Sequence, residues 1–307
     1  MTMTAAIDMN PARGMLPSSV RESLRDAGAL LSRAGIDGAR LDAEVLLAEA
    51  LGCDRRTLYL HDDRPIAAPA LERLRSWLTR RASGEPVAYI TGRREFWSRD
   101  FMVAPAVLVP RPETELLVET VIGLFEAESR ISNLKLRILE LGTGSGAIAV
   151  TLAKELGGAE IWATDISLDA LDVARTNARR HGVEGQIHFL AGSLFEPVRD
   201  RQIIFDAIVA NPPYVRRYEL DTLPRDVRDF EPRAALDGGP DGLDFYRRIF
   251  PEAGRHLDAA GFVAVEIGAD MGEEVARLFA DAGGYTPPRV SQDYAGKDRV
   301  VCARRIV

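Results

Sequence analysis

The sequence predicts an α/β protein, a doubly wound parallel sheet preceded by a small all-helical unit, and three observations carry that prediction. From Ser18 to Arg81 the apolar residues recur only at helical spacing. From Leu136 onward, apolar runs of strand length alternate with helical segments, which implies crossover connections and a sheet covered on both faces. Between the first such strand and helix lies "ELGTGSGAIAV", whose three glycines allow a tight turn and close approach of a ligand to the main chain.

At 307 residues the chain exceeds what one core usually fills, so two domains are expected. With 46% hydrophobic and 28% charged residues it has globular composition, and 39 basic against 46 acidic residues leave a net charge of −7. A general positive field for holding nucleic acid is therefore absent. Cys53 and Cys302 stand far apart without a CxxC or a His cluster, which argues against zinc and disulfides and favours a reducing cytoplasm. No apolar run approaches the roughly 18 residues of a membrane span. The opening "MTMTAAIDMNPARGM" lacks a secretory core and reads as a loose terminus.

Taken in order, "SSVRESLRDAGALLSRAGI" opens on serine and stops near Gly35, "ARLDAEVLLAEALG" stops at Gly52, and "APALERLRSWLTRRASG" stops at Gly84. These helices make a domain over residues 16–85. Between Tyr89 and Val109 aromatic and β-branched residues mix with polar turns, as in a β-hairpin, so residues 86–110 are expected to be a hairpin linker. "RPETELLVETVIGLFEAE" then reads as a helix, with Pro112 in its first turn and Leu116, Leu117, Val121 and Leu124 on one face. After a polar break at "SRISN" come the strand "LRILEL", a helix over Ala147 to Leu156, the strand "EIWATD", a helix over Leu168 to His181, and the strands "QIHFLA" and "FDAIVA". A helix from Leu243 to Leu257, the strand "GFVAVEIG", the helix "GEEVARLFADAG" and the strand "RVVCARRI" complete a domain over 111–307. No long apolar helix face is left over, so a monomer is expected.

Gly142, Gly144 and Gly146 suit a nucleotide-type ligand, and Asp165, at the end of the second strand, can accept two hydrogen bonds from a ribose diol. A helix N-terminal carboxylate is the alternative role for Asp165. The same spacing serves NAD and S-adenosylmethionine, so this loop does not choose between them.

The choice falls to "FDAIVANPPYVRR", where a strand ends in an amide, two prolines and an aromatic ring. An amide or aromatic amine nitrogen is a poor nucleophile because its lone pair is delocalised. The side-chain carbonyl of Asn211 and the backbone carbonyl of Pro212 can each accept a hydrogen bond from a planar –NH2, with Tyr214 against its flat face. Pro212 and Pro213 fix φ and remove two competing N–H donors. Such a clamp holds a nitrogen facing a sulfonium methyl for in-line transfer.

The chain resembles the glutamine N5-methyltransferases that modify peptide chain release factors, the bacterial PrmC/HemK type. The likeness runs from about residue 20 to the C-terminus through "GEPVAYITGRREFW", "VLVPRPETELLVE", "ELGTGSGAIAV", "NPPY", "EPRAALDGGPDGLDFYRRI" and "DYAGKDRVV". NPPY is shared with many amino-group methyltransferases, whereas "PRPETE" joined to it in this order is far more specific. The resemblance implies a class I S-adenosylmethionine-dependent methyltransferase domain, Rossmann-like, behind a helical substrate-recognition domain. It implies S-adenosylmethionine as donor, S-adenosylhomocysteine as product, and class I release factors, through the glutamine of their Gly-Gly-Gln loop, as substrate.

By the same resemblance Gly142, Thr143, Gly144, Ser145, Gly146, Asp165 and Leu194 bind the cofactor. Asn211, Pro212, Pro213 and Tyr214 bind the glutamine, with Asn211, Pro212 and Tyr214 catalytic and Asn211 also touching the cofactor. The family often has an aromatic residue at or beside Leu194, a place Phe195 could fill, and "IGADMGEEV" departs from a common form with Gln near Met271. "PRPETE" falls either at the substrate mouth or at a helix start.

An adenine-N6 DNA methyltransferase is the alternative, since the same clamp would hold a flipped adenine. It requires a basic recognition region. Arg73, Arg75, Arg80 and Arg81 make a basic helix end, but Asp62, Asp63, Glu72 and Glu85 surround it; an acidic, RNA-mimicking protein would suit these arginines equally. A binding module without turnover is opposed by the intact loop, Asp165 and NPPY. His61, His181, His188 and His256 lack metal spacing, and "DGGPDGLDF" lacks the spacing of a calcium loop, so no metal is expected.

Overall fold

The computed structural model describes residues 19–127 and 136–306, so the expected loose terminus, Met1 to Met15, and the polar break Ser129 to Asn133 lie outside the described residues. Contacts divide the chain into two compact units between Thr91 and Gly92.

The first unit contains α1 (Val20–Arg33), α2 (Ala39–Leu51), α3 (Arg55–Leu60), α4 (Ala68–Ala82) and α5 (Val87–Thr91). Ser19 and Glu22 form a reciprocal cap at the start of α1, satisfying backbone donors the first turn leaves open. Asp54 accepts from the Thr57 N–H to start α3. Leu31, Leu46, Leu47, Leu58 and Leu74 close a core among these helices. Two of the four arginines of the basic helix end are consumed inside the unit, while Arg73 and Arg75 stay exposed. Arg81 is buried, with Nε 2.7 Å from Asp42 and Nη1 on the carbonyls of Gly84 and Glu85, and Arg80 pairs with Glu85.

The second unit opens with a hairpin, β1 (Arg93–Phe96) and β2 (Arg99–Met102). Its turn residues Trp97 and Ser98 have φ of 53° and 54°, the left-handed pair that matches strand twist in a two-residue hairpin. Phe96 and Phe101 are buried in this unit's core, so the hairpin packs as part of it, while the residues just before it finish the first unit as α5. A 3-10 turn over Pro112–Thr114 leads into α6 (Glu115–Ala127).

Then follow β3 (Arg137–Leu141), α7 (Ala147–Glu155), β4 (Glu160–Asp165), α8 (Leu168–Arg180), β5 (Ile187–Ala191), β6 (Phe205–Ala210), α9 (Arg225–Phe230), α10 (Asp244–Ala253), β7 (Leu257–Glu266), α11 (Gly272–Ala282), β8 (Arg289–Gln292) and β9 (Asp298–Arg304). Seven strands form one sheet in the order β5-β4-β3-β6-β7-β9-β8. The sheet is parallel from β5 to β7, but β9 runs antiparallel to both β7 and β8. The expected parallel sheet is found from β5 to β7, and β8 and β9 add an edge whose strands alternate in direction. Asp293 accepts from the N–H groups of Ala295 and Lys297, closing a tight turn between β8 and β9, and a connection that short joins only antiparallel strands. β8 itself is half-exposed at the sheet edge and lacks the apolar run that marks the buried strands.

Alternate residues of the central strands enter different cores. Ala207, Val209, Phe262 and Ala264 pack on the α6 and α7 side, and Ile208, Ala210, Val263 and Val265 on the α10 and α11 side. Coverage of both faces is why these strands read as unbroken apolar runs.

Candidate active site

The strand order reverses between β3 and β6, and at such a switch point the carboxyl ends of neighbouring strands open a crevice. Leu141 of β3 pairs with Ala210 of β6, so Gly142 and Asn211 leave the sheet side by side. A cavity of about 390 Å³ lies here, lined by Gly142, Thr143, Gly144, Ser145, Asp165, Leu194, Asn211 and Pro213 among the expected residues. Gly146, Pro212 and Tyr214 do not line it.

Gly142, Gly144 and Gly146 have φ of 76°, 54° and 78°, a left-handed conformation that favours glycine. A Cβ on Gly146 would lie 3.0 Å from the Ala174 Cβ, so this glycine also lets α7 approach α8. The loop is held by two side chains. Asp165 accepts from the N–H groups of Gly144 at 2.8 Å and Ser167 at 2.9 Å, one on each oxygen. Each oxygen keeps a second lone pair, so the helix-start role and a diol-binding role are compatible. Asn177, fully buried on α8, donates to the carbonyls of Ser145 and Met102 and accepts from the Met102 N–H, tying the glycine loop to the hairpin. Nothing near Asn177 in sequence marks it out from other polar helix residues.

Glu140 lines the same cavity and is 1% exposed. Burial, with the nearby Asp165 charge, raises its carboxyl from 4.5 to about 8 against the Thr143 hydroxyl, which donates to Oε2 at 2.6 Å. Oε1 has no partner among the described residues. A buried carboxyl with one idle oxygen and a left-handed glycine cradle fit a cationic nucleoside such as S-adenosylmethionine.

Leu194, with φ of 50°, presents to the cavity, whereas Phe195 is fully buried and stacked on His256 at 5.1 Å. Phe195 is therefore a core residue, and the expectation that it could stack on adenine is corrected. Adjacent positions on such a tight turn point to opposite sides, and Leu194 takes the open one.

Asn211 Nδ2 donates to Thr114 Oγ1 at 3.1 Å, and both residues line the cavity. Tyr214 turns from the cavity into the α10-side core, and its hydroxyl donates to Glu266 Oε1 at 3.3 Å. Burial and the Glu266 charge push the Tyr214 phenol well above its ordinary range. The clamp backbone is pinned from below by "LDGG": the Val215 N–H donates to Leu236 O at 3.0 Å and the Gly238 N–H to Val215 O at 2.9 Å. A Cβ on Gly238 would fall 2.7 Å from the Tyr214 Cα. The three aspartates of this loop, Asp237, Asp241 and Asp244, pair with Arg217 or Arg247.

Pro110, Arg111 and Thr114 line the cavity, and Pro112 to Thr114 form the 3-10 turn that leads into α6, as the helix-start reading expects. Glu231, nearly inaccessible, accepts from Arg111 at 2.6 Å and from the Val109 N–H at 3.1 Å, joining this segment to "EPRAAL".

The profile of the PrmC N-terminal domain matches residues 22–92, and that of the methyltransferase small domain matches residues 114–224. A Moorella thermoacetica protein named release factor glutamine methyltransferase is 44% identical over 94% of this chain and 99% of its own length. One of the same name from Geobacter sulfurreducens is 43% identical over 93% of this chain and 96% of its own. Among solved structures, the hMettl16 catalytic domain aligns with a TM-score of 0.53 at 15% identity, covering 77% of this chain and 81% of that one, a likeness of fold alone. Identity at that level across both units, together with a methyltransferase crevice ending in NPPY, places the chain in the release factor glutamine methyltransferase family.

Proposed function

We propose that the protein transfers the methyl group of S-adenosylmethionine to the side-chain amide nitrogen, N5, of the glutamine in the Gly-Gly-Gln loop of class I peptide chain release factors. It acts in the cytoplasm as a monomer, with no nucleic acid required. The observation that carries the reading is the place of Asn211, which leaves the end of β6 beside the glycine loop that follows β3 and lines the cavity with Pro213.

When bound, the cofactor supplies an electrophilic methyl on a sulfonium and leaves as the neutral thioether S-adenosylhomocysteine. Gly142 to Gly146 provide the close backbone approach, Asp165 the acceptors for the ribose, and Leu194 an apolar wall beside the adenine. Glu140, whose carboxyl burial raises to about 8, ionises in response to the cationic end and then offers it a negative charge. The Asn211 side-chain carbonyl and the Pro212 backbone carbonyl accept the two amide protons of the substrate glutamine and fix its nitrogen toward the methyl. As that nitrogen gains a bond and positive charge, both acceptor contacts strengthen, so they stabilise the transition state more than the ground state, and one of the two amide protons is then lost to water to leave the neutral methylamide. Pro212 and Pro213 keep competing donors out of the clamp, and Tyr214 secures its far end.

The test is transfer of labelled methyl to a purified release factor, to the same factor with its Gly-Gly-Gln glutamine replaced, and to duplex DNA. Label on the intact factor alone is expected. Label on DNA alone would mean that the clamp holds adenine. In the same assay Asn211→Ala is expected to lower turnover at least about 100-fold with cofactor affinity largely intact; near-wild-type turnover would remove Asn211 from the mechanism.

A further inference from the structure

A side-chain amide is useful as a clamp only if it presents the correct end. Asn211 must offer Oδ1 to a substrate –NH2; with the amide turned over, Nδ2 would meet those protons donor to donor. Its hydrogen bond to Thr114 does not by itself decide this, because a hydroxyl both donates and accepts. What decides it is where the Thr114 proton goes.

Ala210 of β6 pairs with Val265 of β7, so Asn211 and Glu266 follow as neighbours at the two strand ends. Both continue the alternation that sends Val209 and Ala264 to the α6 side, and Thr114 stands at the start of α6. Thr114 is held in this corner by its bond from Asn211, close enough to act on the Glu266 carboxyl though not at hydrogen-bond distance from it, and the Tyr214 hydroxyl donates to Glu266 Oε1. Glu266 is 1% exposed, and its Oε2 has no hydrogen-bond partner among the described residues. The other charged groups acting on it are Arg299 and Glu113, and the Tyr246 hydroxyl occupies its backbone carbonyl at 2.8 Å.

We infer that Glu266 is a positioning residue that fixes the polarity of the glutamine clamp. An ionised carboxylate accepts only, so it draws the Thr114 proton toward itself. Thr114 Oγ1 can then only accept from Asn211 Nδ2, and Asn211 Oδ1 is left for the substrate. The same carboxylate accepts the Tyr214 proton, so both ends of NPPY refer to one buried group. A protonated Glu266 can itself donate to Thr114, which frees the threonine proton for Asn211 Oδ1 and removes the bias. The inference rests on the glutamine-methylation reading.

The test measures kcat at saturating cofactor and release factor, and cofactor Kd, from pH 5.5 to 9. Burial raises the Glu266 carboxyl from 4.5 to about 7, so wild-type kcat is expected to fall on the acid side with a midpoint near there. Glu266→Gln, whose amide no longer dictates direction, is expected to lose about 10- to 100-fold in kcat at pH 8 and to lack that acid limb, with Kd unchanged. Thr114→Val should lose a similar factor and Thr114→Ser recover most of it. Because the two residues act along one chain, Glu266→Gln combined with Thr114→Val should be little worse than either alone. Losses that multiply, or a Glu266→Gln enzyme with wild-type kcat and its acid limb intact, would overturn the inference while leaving the glutamine reading standing. A wild-type enzyme that labels no release factor removes the reading first and the inference with it. Should Glu266→Gln fail to fold, the Thr114 pair decides alone, since a polarity role requires that serine rescue what valine loses.

Discussion

Replacing Gly238 by alanine tests whether the clamp's shape is imposed from beneath. Gly238 is not in the left-handed region, so alanine adds no backbone strain of its own, and the whole effect is steric. The new Cβ would lie 2.7 Å from Tyr214 Cα, 2.8 Å from Pro213 O and 2.9 Å from Gly242 Cα. All three are main-chain atoms, so no side chain can swing aside. Restoring an ordinary separation of about 3.4 Å moves the Pro213–Tyr214 backbone or the Gly238 strand by roughly 0.7 Å. Overpacking of this kind destabilises by about 1–3 kcal/mol. A displacement approaching 1 Å at a group that aligns the reacting nitrogen lowers turnover by on the order of 10- to 100-fold. The assay pairs urea unfolding with methyl transfer to release factor and cofactor titration. Expected are a lower midpoint, reduced kcat and near-normal cofactor affinity, because the glycine loop after β3 is untouched. Unchanged stability together with unchanged kcat would show that the clamp yields freely and that "LDGG" does not shape it.

Asp165→Ala should weaken cofactor binding by at least about tenfold in calorimetry before any effect on saturated turnover, since it removes acceptors from the cavity and the partner of the Gly144 N–H; equal affinity would undo the ribose assignment. Glu140→Gln should change how stability depends on pH. The folded carboxyl is raised from 4.5 to about 8, so its favourable contribution is complete below pH 4.5 and is lost as pH rises toward 8. Urea midpoints should therefore show the variant gaining on wild type across that window, by on the order of a few kcal/mol in total; a difference independent of pH would contradict a buried, protonated Glu140. Arg111→Met leaves Glu231 buried without its cation and should destabilise by about 2–3 kcal/mol at pH 8, a loss that eases as acid protonates Glu231. A constant loss at every pH would mean that the ion pair is not its cause.

What could be read in advance follows from how local each signal is. The glycine turn, Asp165 at the end of a strand and the NPPY ending are each written in a few consecutive residues, and their strands announce themselves because both faces of the sheet are covered. Pairing between distant segments is not written that way. Thr114 looks like a helix-start residue and Glu266 like the last polar residue of a strand; they meet only because the sheet order sets β7 beside β6 and α6 above both. Asn177 is hidden for the same reason, since its partners Ser145 and Met102 lie on other elements. The antiparallel edge was obscured because β8 has four residues, none of them buried. The resemblance implies an aromatic at or beside Leu194, but only the fold shows that the tight turn directs Phe195 into the core and Leu194 to the cavity.

The sheet explains why two buried carboxyls can flank a methyl-transfer site. In the order β3-β6-β7, Glu140 lies next to the end of β3, Asn211 just past β6, and Glu266 at the end of β7. The two-residue alternation puts all three on the α6 side, as it does Ile138, Val209 and Ala264. The Asn211 amide is thus set between two acids whose carboxyls are both raised toward neutrality by burial. Near neutral pH neither acid is fully charged in the empty site, which spares the fold much of the desolvation penalty of two fixed anions. A positive charge entering the cavity favours ionisation of the nearer acid, and the transfer moves that charge from sulfur toward nitrogen without removing it. A site with fixed anions would hold the sulfonium more tightly than the developing ammonium requires. Carboxyls poised close to pH 7 can respond to the charge wherever it stands, which is the condition for stabilising the transition state beyond the bound ground state.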